Sequence, residues 1–103
     1  MNDLDNFNRI MINMIHNQIN SIVEERRGLE RNKNWRKIPT EVKEKYYEGY
    51  NVLINALYDT LDDLEKGSSV SFEEYKEVTD LGMALAEYVI EVLKAYNIDY
   101  KII

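Results

Sequence analysis

The sequence predicts an all-α chain folded as a single antiparallel three-helix bundle, up-down-up, over residues 1–103, and three observations lead there. Apolar residues recur every three or four positions through three long stretches. One proline and one Gly-Ser cluster, at Pro39 and Gly67-Ser68-Ser69, separate those stretches. The chain has 103 residues, 45% of them hydrophobic and 31% charged, enough for one modest core and outside the range of disordered chains.

The first helix is placed at 3–31. Asn2 is a good N-cap, and Leu4, Phe7, Met11, Met14 with Ile15, Ile19 and Ile22 follow at helical spacing. Ile10, Ile12 and Val23 widen that apolar face beyond what one neighbour covers, so the helix is expected to touch two neighbours or a partner chain. A homodimer through this face would complete a bundle of four or six helices. Gly28 weakens the helix near its end, and Asn32-Lys33-Asn34 stops it.

A linker, Trp35-Arg36-Lys37-Ile38-Pro39, leads to Thr40, which is expected to cap a second helix at 40–66. Its core positions are Val42, Tyr46, Tyr50, Leu53, Leu57, Leu61 and Leu64, with Tyr47, Ile54 and Tyr58 beside them. Gly67 is placed to end it as a left-handed C′ residue. The third helix, 72–96, has the clearest start in the chain: Ser71-Phe72-Glu73-Glu74 is a capping box, with Val70 and Tyr75 spaced as a hydrophobic staple. Val78, Leu81, Leu85, Tyr88 with Val89, Val92 and Tyr96 form its core stripe, and it should stop near Asn97. Thr79, Gly82 and Ala86 make a small-residue ridge suited to close helix approach. The tail, 97–103, alternates apolar and polar residues from Ile98 on with the period of a strand, as a cover for the bundle or a segment lent to a partner.

Charge is sorted along the chain. Arg26, Arg27, Arg31, Lys33, Arg36, Lys37, Lys43 and Lys45 outweigh Glu30, Glu41 and Glu44, while Asp59, Asp62, Asp63, Glu65, Glu73, Glu74, Glu77 and Asp80 outweigh Lys66 and Lys76. In an up-down-up bundle these stretches fall at opposite ends, one basic and one acidic. Asp59, Asp62, Asp63 and Glu65 occupy the last turns of the second helix, where the macrodipole disfavours each exposed carboxylate by roughly 0.3–1 kcal/mol. A layout that opposes local stability points to a binding surface, and the candidate partner-binding residues are Asp59, Asp62, Asp63, Glu65, Glu73, Glu74 and Glu77. Trp35, Arg36 and Lys37 in the linker are the alternative, as an anion contact. Charge runs also serve as plain solvated faces.

The net charge of −6 argues against a general nucleic-acid-coating role, which needs surplus cations. The chain has no cysteine, an acidic N-terminus and no apolar run of membrane-spanning length, so a soluble protein of the cytoplasm is expected, with no membrane contact. Catalytic chemistry is not expected either. His16 is the single histidine, set mid-helix between apolar positions, and neither a phosphate-binding loop nor a zinc spacing occurs. Glu73-Glu74-x-x-Glu77 matches half of the metal signature of the all-helical nucleotide pyrophosphohydrolases, but neither Glu87 nor Glu91 is followed three residues later by the Asp of the second half. The sequence therefore predicts no enzyme, no catalytic residue, no metal and no cofactor.

In type the chain is similar to the small, acidic, helical inhibitors encoded by phages and mobile elements, such as nuclease inhibitors and anti-CRISPR proteins, whose setting would be the host cytoplasm. That similarity implies a module that blocks or modulates a larger protein, for example a nucleic-acid-binding one. Two alternatives stand beside it. Tyr46–Tyr96 resembles the amphipathic helix-loop-helix half of bacteriocin-immunity bundles, and the oppositely charged ends would suit a structural protein that assembles head to tail.

Overall fold

A computed structural model describes residues 3–67 and 70–98, with side chains from Asn6 onward. Four helices make up the described chain: α1 (Asp3–Arg31), α2 (Lys33–Arg36), α3 (Thr40–Glu65) and α4 (Phe72–Ala95). The expected cap at Asn2, the side chains of Asp3 and Asp5, and the strand-like alternation from Asp99 on lie outside the described residues.

The helix ends follow from local chemistry. Asn32, read from the sequence as part of a stop, also starts α2: its Oδ1 accepts from the Asn34 amide at 2.9 Å. The linker is thus one short helical turn, carrying Trp35, before Pro39. The cap of α3 is Pro39 and not Thr40. With φ −53° and ψ 142°, Pro39 offers its carbonyl to the amides of Val42 and Lys43 at 3.1 and 3.2 Å, and its missing N–H is no loss at a helix start. Gly67, at φ 84°, closes α3 by donating to the Leu64 carbonyl at 3.1 Å. Ser71 Oγ caps α4 by accepting from the Glu74 amide at 3.1 Å. At its far end Asn97 takes φ 52°, and Asn97 and Ile98 donate to Lys94 and Leu93 at 3.2 and 2.9 Å, a complete Schellman closure.

α3 is the central helix, running against both α1 and α4, and the side chains sort into two core clusters along its length. Toward one end Met11, Ile15 and Ile19 of α1 meet Leu53, Leu57, Leu61 and Leu64 of α3 and Val78 of α4. Toward the other, Leu29, Trp35 and Ile38 meet Tyr46 and Tyr50 of α3, Val89 and Val92 of α4, and Ile98. Trp35 stands edge-on to Tyr46 at 5.4 Å between ring centres. The Tyr88 hydroxyl donates to the Val42 carbonyl at 2.9 Å, fastening α4 to the start of α3. Gly49 faces α4 closely, so that a Cβ there would sit 3.1 Å from Leu85 Cδ1. The ridge residue Gly82 has more room, its nearest neighbour Leu53 Cδ1 lying 4.0 Å from a built Cβ.

Among the described residues, no Cα of α1 comes within 8 Å of one in α4. The two helices flank α3, in a rod 52 Å long with cross-section extents of 23 and 17 Å. Phe7, Met14, Leu81 and Tyr96, expected in the core, are exposed, at 54, 42, 38 and 44%; Leu81 lies on the edge of α4 beside Gly49 and Val52 of α3, away from the gap between α1 and α4.

Candidate interaction surfaces

The two ends of the rod are built from the two charged stretches. The end of α3 and the start of α4 share a core cluster with the first half of α1, so the acidic residues gather there. Asp59, Asp62, Asp63, Glu65, Glu73, Glu74 and Glu77 are all exposed. Asp62 accepts from Lys66 Nζ at 2.8 Å, and that hydrogen bond holds the ammonium above its ordinary pKa. His16, set between apolar positions of α1, projects into solvent, its Nε2 4.0 Å from Glu65 Oε1. The residue before it, Ile15, takes the core position, and one step along a helix turns a side chain by about 100°.

At the opposite end lie the close of α1, α2 and the start of α3. Arg36 and Lys37 are exposed there, and Lys43 Nζ reaches the Arg36 carbonyl at 3.4 Å. Trp35 is 2% exposed and belongs to the core, so its ring is not part of the surface its two neighbours present. Its Nε1 meets no acceptor among the described residues. Beside it, Arg26 binds Glu30 at 2.6 Å and lies over the rings of Tyr47 and Tyr50, 4.8 and 4.6 Å from their centres. The Glu30 hydrogen bond raises the guanidinium pKa. Burial raises that of Glu25, and burial, followed by the nearby Glu25 charge, raises that of Tyr46.

A third surface was not visible as such in the sequence. The gap between α1 and α4 is a groove of about 410 Å³, floored by Leu53 and Leu57 of α3. Asn17, Gln18, Ser21 and Ile22 form one wall, and Thr79, Gly82, Met83 and Ala86 the other. The small-residue ridge therefore lines a groove where a contact with a neighbouring helix was expected. The apolar walls continue beyond the groove. Phe7, Ile10 and Met14, exposed by 54, 58 and 42%, extend the α1 wall toward the N-terminus; Ile90, exposed by 48%, extends the α4 wall past Met83, itself exposed by 58%. The legible signal was the width of the first helix's apolar face. What the sequence withheld was that α4 would leave half of it open.

Among the described residues, no three His, Asp or Glu side chains gather as a metal-binding group, and no helix is long and apolar enough to cross a membrane. No family model, curated protein or solved structure matches the chain.

Proposed function

We propose that this chain is a protein-binding module, without a catalytic centre of its own, that docks a larger protein through its acidic end and thereby blocks or modulates it. The observation that supports this reading is the exposure of Asp59, Asp62, Asp63 and Glu65 at the C-terminal end of α3. There the helix dipole opposes them, α3 carries no base within its last turn, and Lys66, just beyond, forms an ion pair with Asp62. Clustered charge of one sign at the tip of a rod steers encounter with a basic partner surface and selects against acidic ones. The inhibitors of phages and mobile elements are the type this reading favours, with a basic, nucleic-acid-binding protein as the natural target.

The test is charge reversal. The protein is used to capture its partner from a lysate of the cell that makes it, and association is then followed with Asp59, Asp62 and Asp63 replaced by lysine. The triple variant should associate at least about tenfold more slowly at low salt, with the difference shrinking as salt is added. Its thermal stability should be unchanged or slightly higher, since the dipole conflict is relieved. If the variant binds normally and Arg36→Glu with Lys37→Glu abolishes binding instead, the basic end is the interface and the acidic-end reading falls.

A further inference from the structure

We propose that the α1–α4 groove seats a second copy of this chain, in an antiparallel two-fold dimer whose axis passes near Met14 of each α1. The first argument is a match of faces within α1 itself. Phe7, Ile10 and Met14 are spaced i, i+3 and i+7, and the same row continues through Asn17 to Ser21. The N-terminal half of the row is thus an exposed apolar stripe, and the C-terminal half is a wall of the groove. A two-fold axis at Met14, between the halves, lays each copy's stripe into the other copy's groove. Phe7 then meets Ser21 of the second copy, Ile10 meets Gln18, and the two Met14 side chains meet each other. The same patch serves both copies, as a closed two-fold interface requires.

The second argument is electrostatic. From Asn6 to Val23 the formally charged residues reduce to Arg9, and Thr79, Gly82, Met83, Ala86 and Ile90 along the facing wall are uncharged. Depletion of charge with Met and Phe retained is the composition of an interface core. What enters such a groove without stranding a charge is an uncharged apolar helix face, and α1 carries one. An antiparallel arrangement also directs the acidic end of each rod toward the basic end of the other, whereas a parallel one would set like ends together. Self-association needs no other partner, so it stands or falls separately from the acidic-end reading.

The test measures molar mass by sedimentation equilibrium across concentration, at low and high salt. The native chain should dimerise and stop there, and the dimer should persist in high salt because its contact is apolar. Ile10→Glu and Met83→Glu, on the stripe and on the opposite wall, should each raise the dissociation constant about tenfold or more. Both positions are exposed, so helicity should be unchanged. Because the chain has no cysteine, Met14→Cys should give a disulfide-linked dimer on mild oxidation, and faster than the exposed control Tyr58→Cys. A chain monomeric at high micromolar concentration, a dimer indifferent to both glutamate variants, a Met14→Cys chain that links no faster than the control, or open-ended growth abolished by salt would each overturn the proposal.

Discussion

Glu25 shows how a single side chain can set a pH dependence in a chain with one histidine. It lies beside Tyr46 on the inner edge of α1, half-buried, and burial raises its pKa above the ordinary 4.5. An acid whose folded value exceeds its unfolded value binds its proton more tightly when folded, so its protonation favours the native state. That contribution is complete below the unfolded value and is lost as pH rises through the folded one. Glu25→Gln should therefore raise the melting temperature at pH 7, with the gain over the native chain shrinking toward pH 4; an equal gain at both values would assign the effect to packing and not to ionisation. The burial of Glu25 was not legible in the sequence, where it is one of two adjacent glutamates before two arginines. Nor was that of Trp35. The positive charge around it suggested an exposed contact, yet Trp35 and Ile38 are the apolar residues of that stretch, three apart, and they turn together onto Tyr46 and Val92.

Helices were the most legible level because their start and stop signals are local. α1 runs from Asp3 to Arg31 as the periodicity required, and α3 and α4 each end one residue short of the expected 66 and 96. The errors fell where one residue type carries two signals: Asn32 stops one helix and starts another, and Pro39 takes the cap expected of Thr40. Ser71 is the side-chain cap of α4. Ser71→Ala strips the acceptor from the Glu74 amide and should cost about 0.5–2 kcal/mol, read from the denaturation midpoint. An unchanged midpoint would mean that Val70 and Tyr75, which pack on the adjoining core, fix the start of α4 by themselves.

At the scale of the whole molecule, periodicity shows which face of a helix is apolar but not how many neighbours cover it. Phe7 and Ile15 follow the same rule of spacing, and one is exposed while the other is buried in the cluster built on α3. The placement of charge at the two ends was legible, since it needs only that each long helix reverse direction.

The two core clusters are joined by three half-buried residues packed against both: Ile22, Ile54 and Leu85, one from each long helix. Leu29, Trp35, Tyr46 and Val89 are enclosed in the basic half of the rod and Ile15, Leu53 and Leu57 in the acidic half, but the acidic half is notched by an open groove over Leu53 and Leu57. So narrow a waist lets one half melt while the other stays folded, and hydrogen exchange should divide the amides into two populations, with those of Leu57–Leu64 opening at lower free energy than those of Tyr46–Tyr50. Ile54→Ala, which thins the waist without touching either end, should widen that difference. A single shared opening free energy along all of α3 would mean that the backbone of the central helix carries the cooperativity by itself.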